Sequence, residues 1–401
     1  MSANSATIEG IVAPGFEKIK DAFSRNFREY DEKGASVAIY VDGEKKVDLW
    51  GGTANVQTGR PWQANTIGLV YSATKGAVAL LFQLLAQKGI LDLDEPVARY
   101  WPEFSAAGKS GIPVRFLLSH QAGFPGLDQP ITSEEILEGR RIVEILQNGT
   151  PIWEPGAKHG YHALTYGWLL GAVVQKVTGK SLGQVFKEHI ADPLSLDFHI
   201  GLPTSELDRV AKLVQFLPLN PAIMAEIPDP EAIAALESVG QAMSDPDSLL
   251  SRVLSTNGAL RTPDAETWND PRIYAAEIPA ANAITNARSL AKMYAACVSE
   301  LDGIRLLDAD SLADSKREQA IGMDEVLGLR SRFGTGFELP VGMAAMLSEE
   351  SFGHKGAGGA LGFGDTKHRV GFGYVQNQLL GYDIADPRTR GLIAALKEAI
   401  A

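Results

Sequence analysis

A single cysteine, Cys297, stands in 401 residues. One thiol closes no disulfide within a chain, so a disulfide framework is excluded. The seven histidines form no His-x-His, His-Glu-x-x-His or Cys-x-x-Cys pattern. Without closely spaced ligands no metal is expected, and nothing else in the chain calls for a cofactor. Basic tracts are also missing, since none is longer than Lys45-Lys46 or Arg140-Arg141, and 37 Lys and Arg against 49 Asp and Glu leave a net charge of −12. Neither nucleic acid nor an anionic membrane is an expected partner. The longest apolar stretch, Gly76–Ala86, is interrupted by Gln83 and falls short of the roughly 20 residues that span a bilayer. Met1–Ser5 carries neither a basic nor an apolar leader segment, so a cytoplasmic location is expected. What is present is ordinary for a globular chain: 45% hydrophobic, 21% charged, with 41 Gly and 21 Pro in no fixed period. The length suits two or three domains' worth of core.

The two ends of the chain have the same character. Phe16, Ile19, Ala22, Phe23 and Phe27 recur at helical spacing behind Pro14, which predicts a helix over 14–31. Ala35–Val41, Asp42-Gly43 and Lys46–Trp50 read as a β-hairpin. Near the other end, Ser351–Gly353, Ala360–Gly364 and Val370–Val375 are short strands punctuated by glycine. A helix over 387–400 follows, striped by Leu392, Ile393, Leu396 and Ile400. Between the ends, Ala77–Lys88, Ser133–Gln147, Leu164–Thr178 and Ser181–Ile190 are helical in pattern. The expected fold is therefore α/β: an antiparallel sheet flanked by N- and C-terminal helices, with a mainly helical insertion. Residues 1–75 and 275–401 would form the discontinuous α/β domain and 76–274 the helical one. Its irregular part, about 201–274, is either a lobe over a pocket or a set of long surface loops; residues 201–280 hold nine prolines.

Three serine motifs compete for chemistry. Gly179-Lys180-Ser181-Leu182-Gly183 matches Gly-x-Ser-x-Gly, but a nucleophile elbow needs a strand before the serine. Here a helical segment precedes it, and Ser181 with Gln184 fits a capping box that opens the next helix. Ser-x-x-Lys occurs at Ser72–Lys75 and at Ser289–Lys292; three residues apart on a helix, hydroxyl and amine share a face. Ser289 lies inside an ordinary amphipathic helix from Asn286 to Cys297, where solvated polar residues are expected. Ser72 opens a helix with Ala77, Leu80, Leu81, Leu84 and Leu85 as its buried stripe. The unsatisfied N–H groups there favour a developing oxyanion. A plain N-cap explains Ser72 equally well on this motif alone.

Two further segments decide between those readings: Trp153-Glu154-Pro155-Gly156 leading to Tyr161-His162-Ala163, and Gly353-His354-Lys355-Gly356-Ala357-Gly358-Gly359. In this order the chain resembles the serine β-lactamase-like superfamily of class C β-lactamases, DD-peptidases and, above all, family VIII carboxylesterases. Leu117-Leu118-Ser119-His120-Gln121-Ala122-Gly123 and Gly371–Asn377 resemble supporting segments of that family. The resemblance implies a β-lactamase/transpeptidase-like fold with Ser72 as nucleophile, Lys75 as its proton partner and Tyr161 as base or relay. It implies an oxyanion hole made by the backbone N–H groups of Ser72 and Ala357. A Lys75 ammonium would favour the Tyr161 phenolate.

The departures from the family pattern bear on substrate. Ala163 stands where the family's Tyr-x-Asn has an amide, and His354 where Lys-Thr-Gly has a fixed cation. Strand alternation would aim the adjacent Lys355 opposite to His354. With Trp153 and Gly356, these residues are the expected substrate-binding set, poorly suited to a lactam's carboxylate and amide. The expected activity is hydrolysis of small to medium carboxylic esters, a small-molecule substrate, through an acyl-enzyme on Ser72. A β-lactamase or DD-peptidase, an acyltransferase, and a non-catalytic binding protein on the same fold are the alternatives.

Overall fold

The turn at Asp42-Gly43 needs two consecutive residues at positive φ, and both adopt it, at 52° and 81°. In the computed structural model, which describes residues 6–217, 220–225, 227–262, 264–342, 346–381 and 385–401, this turn joins Gly34–Val41 to Glu44–Asn55. The hairpin is the middle of an antiparallel sheet. Its strands run in the order Ile8–Val12, Glu44–Asn55, Gly34–Val41, Val370–Gln376, Leu361–Asp365 and Ser351–Lys355, with Arg60–Pro61 paired to the second. Both chain ends thus build one sheet, as the sequence indicated. The edge strand Ile8–Val12 has no sequence forecast; its side chains are half-buried or exposed.

Helices cover both faces. Glu17–Glu29 and Pro387–Ala399 lie together on one face, where Phe23, Phe27, Leu392 and Leu396 meet Val37, Ile39, Phe363 and Phe372. Ala287–Val298 lies on the other face. Its approach requires glycine in the strand: a Cβ on Gly371 would stand 2.4 Å from Ala291 O, and one on Gly373 2.4 Å from Ala287 O. The glycine punctuation of Val370–Gln376 is therefore a helix-docking surface.

The helix Ala73–Gln87 is buried almost all round, from Ala73 to Leu85, as expected of a helix at the centre of a large core. Thr165–Thr178 and Leu182–Phe186 follow the sequence reading, and Ser181 forms the capping box with Gln184. The single helix expected over 133–147 is instead two, Ser133–Glu138 and Arg140–Asn148, because Gly139 turns the chain at φ 72°. The proline-rich stretch is more regular than its periodicity suggests. Asn220-Pro221, Asp229-Pro230 and Asp270-Pro271 each cap and open a helix, with the polar side chain accepting an N–H and proline in the first turn. No helix among the described residues is long and apolar enough to cross a membrane.

Candidate active site

A small sheet delivers the serine. Gly68–Leu69 pairs with Ile284–Thr285, which pairs with Phe198–His199, and Val70 continues the first strand by donating to Ala283 O at 3.0 Å. Tyr71 then turns at φ 44°, an uncommon conformation for an aromatic residue that the surroundings must enforce. Thr74 supplies that enforcement: its Oγ1 donates to Tyr71 O at 2.6 Å and accepts from Ala283 N at 3.0 Å. The Tyr71 ring is buried against Trp268, centroids 5.0 Å apart. Ser72 follows at the head of helix Ala73–Gln87 without capping it through its side chain, so its hydroxyl is left for other partners. The plain N-cap alternative has no hydrogen bond to support it.

Lys75 lies one turn on and is fully buried. Its Nζ stands 3.1 Å from Ser72 Oγ, 2.8 Å from Ala163 O and 2.9 Å from Ala280 O. Burial holds the amine well below its ordinary 10.5, against a smaller upward pull from Glu338. Tyr161 lies across from it, Lys75 Nζ sitting 4.7 Å from the ring centroid. Burial and the Glu338 charge push its phenol well above 10, with Ser72 pulling the other way. Desolvation, which penalises both charges, moves the two groups away from the expected pair of ammonium and phenolate.

Tyr161 is fixed from behind. Its backbone N–H donates to Asp324 Oδ1 at 2.9 Å, an oxygen that also accepts from Val326 N and Leu327 N. His120, buried and at φ 63°, places its ring 4.8 Å from the Tyr161 ring and accepts the His162 N–H at Nδ1. Tyr166 donates to Lys75 O at 3.3 Å.

Ser72, Tyr161, Ala163 and Ala357 face one cavity of about 150 Å³. Among the described residues, no acceptor takes the backbone N–H of Ser72 or Ala357. The far wall is apolar and comes from the proline-rich segment: Phe216, Leu236, Val239, Met243, Leu250 and Leu254.

The expected substrate-binding residues divide. Ala163 lines the cavity and also holds Lys75 through its carbonyl. His354 does not reach the cavity; it is buried beside the Tyr161 ring, its Nδ1 is 2.7 Å from Lys355 O, and burial lowers it to about 4. Lys355 takes the cavity position instead, as strand alternation requires. Gly356 works by closeness, since a Cβ there would stand 2.0 Å from Val70 O, and Trp153 packs near Gly160 and His162 away from the cavity. Ser289, expected on a solvated face, is buried and accepts the Asp197 N–H, while Lys292 binds Leu194 O and Asp302. Ser181 is engaged by Glu277.

The sequence reading missed Glu338. Its carboxylate lies on the cavity wall, 2.6 Å from Lys355 Nζ, and accepts the Lys355 N–H at 3.0 Å. Burial opposes its charge, but His354 and Lys355 outweigh this and hold it at about 2. Ala280, whose carbonyl orients Lys75, and Asp324 were missed as well.

The chain is similar in sequence and fold to known proteins. The beta-lactamase family profile matches residues 22–395. The chain is 35% identical over 379 residues to the esterase/beta-lactamase LipL of Mycobacterium tuberculosis, covering 92% of this chain and 83% of that protein. A family VIII carboxylesterase structure superposes with a TM-score of 0.85 at 37% identity, over 98% of this chain and 100% of that one. A penicillin-binding protein homolog from Caulobacter crescentus gives 0.82 at 31% identity, over 98% and 100%.

Proposed function

The chain belongs to the beta-lactamase family, and from that premise and the geometry around Ser72 we propose that it is a serine esterase hydrolysing small to medium carboxylic esters through an acyl-enzyme. The observation that carries the reading is the set of contacts at Lys75. A neutral amine has two N–H bonds and one lone pair. Ala163 O and Ala280 O accept the two N–H bonds, which leaves the lone pair for the hydroxyl 3.1 Å away.

Ser72 Oγ attacks the ester carbonyl as its proton passes to Lys75 Nζ, and the carbonyl oxygen becomes an oxyanion facing the N–H groups of Ser72 and Ala357. Collapse breaks the bond to the alcohol, which leaves with a proton returned from Lys75 through the Tyr161 hydroxyl. Water then adds to the acyl-enzyme with Lys75 again as base, releasing the carboxylic acid and Ser72. The apolar wall suits an alkyl acyl chain.

A fluorophosphonate probe tests the reading by forming a covalent bond to an activated serine. Peptide mapping is expected to find the label on Ser72; an unlabelled Ser72 overturns the proposal and favours a non-catalytic protein. The names of the relatives favour β-lactam hydrolysis as a second reading. It replaces the first if kcat/KM for a cephalosporin equals or exceeds that for p-nitrophenyl butyrate.

A further inference from the structure

Among the described residues lining the cavity, two carry charge, Glu338 and Lys355, and they are paired with each other. Among the described residues Lys355 Nζ is the one cationic group on that wall, since neither His354 nor Lys75 lines the cavity. The Glu338 carboxylate holds this cation at 2.6 Å and also fixes its backbone N–H. It stays ionised throughout the working range, being held at about 2. A substrate carboxylate entering the cavity would have to displace Glu338 from Lys355 and then face it as a like charge.

We propose that Glu338 is a specificity-determining residue, one that cancels Lys355 within the cavity and so restricts the enzyme to esters carrying no carboxylate. The inference rests on the esterase reading above and names its substrate class. Exclusion works here by an element that repels the wrong substrate as well as by the apolar contacts that attract the right one. Nothing in the sequence pattern marks position 338; the pairing exists because Glu338 bridges to Gly353 beside the strand that carries Lys355.

The test compares two esters of equal chain length, p-nitrophenyl hexanoate and mono-p-nitrophenyl adipate, as a ratio of kcat/KM values on one preparation. Glu338 also biases Lys75 and Tyr161, and the ratio removes that common effect on the chemistry. The wild type is expected to favour the hexanoate by roughly tenfold or more. In Glu338→Gln, which keeps an acceptor for the Lys355 N–H, the adipate-to-hexanoate ratio is expected to rise by roughly tenfold. The double variant Glu338→Gln with Lys355→Met should lose that gain. Glu338→Ala provides the same reading if the glutamine variant does not fold. A wild type that handles both esters equally overturns the proposal, as does an unchanged ratio in a folded Glu338 variant or a gain that persists without Lys355. Absence of turnover of either ester, with Ser72 unlabelled by fluorophosphonate, would instead overturn the esterase reading itself.

Discussion

Lys75 Nζ stands 3.1 Å from Ser72 Oγ, and its other two hydrogen-bonding neighbours are both backbone carbonyls, of Ala163 and Ala280. Among the described residues no carboxylate touches the amine, so its burial is uncompensated by an ion pair and shifts it toward the neutral form. With Lys75 proposed as the base, consequences follow for pH, mutation and substrate.

The pH profile separates the two candidate bases. Lys75 acts when deprotonated and its value lies well below 10.5, so kcat/KM should rise with pH through the depressed lysine value and be level before 10.5. Tyr161 would act when deprotonated at a value well above 10. A rate still climbing tenfold per pH unit above 10 would assign the base to the phenol.

Substitution should rank the same two groups. Lys75→Met removes the base and is expected to lower kcat by roughly 10³-fold or more, while Tyr161→Phe removes a relay and should cost less, about 10²-fold. Steady-state kinetics on p-nitrophenyl butyrate checks the order; equal or reversed losses contradict it.

Gly356 allows the strand bearing Lys355 to approach the turn before Ser72. Gly356→Ala would place a methyl 2.0 Å from Val70 O, and backbone on both sides must shift. A stability loss of about 1–3 kcal/mol is expected, together with reduced kcat because Ala357 moves with its neighbour. Thermal unfolding and kinetics on the purified variant read both effects.

The apolar wall sets chain length. Val239→Trp fills cavity space beside Met243 and Leu236 and should depress kcat/KM for p-nitrophenyl hexanoate several-fold more than for the acetate. Equal losses on the two esters would remove the lobe from acyl recognition.

Much of this was legible before the structure. The sheet from both chain ends followed from Asp42-Gly43 and the glycine-spaced strands, and the order of Ser72–Lys75, Tyr161–Ala163 and His354–Ala357 pointed to one site. The rest depended on contacts that no local pattern encodes. Glu338 meets Lys355 across a strand pair, Ala280 reaches Lys75 from 205 positions away, and burial is what shifts the Lys75 amine down and the Tyr161 phenol up. One signal was present but unread: Asn220-Pro221, Asp229-Pro230 and Asp270-Pro271 are cap-and-proline pairs that mark helix starts within a stretch that looked irregular.

The most direct measurement of the central claim is ester hydrolysis by three serine variants prepared side by side. Ser72→Ala is expected to lose p-nitrophenyl butyrate turnover by roughly 10⁴-fold or more, as covalent catalysis does without its nucleophile. Ser181→Ala and Ser289→Ala, whose hydroxyls serve Glu277 and the Asp197 N–H, should retain most of it. Full activity in Ser72→Ala, or a comparable loss in either of the others with Ser72 intact, would contradict the assignment of the nucleophile and the mechanism built on it.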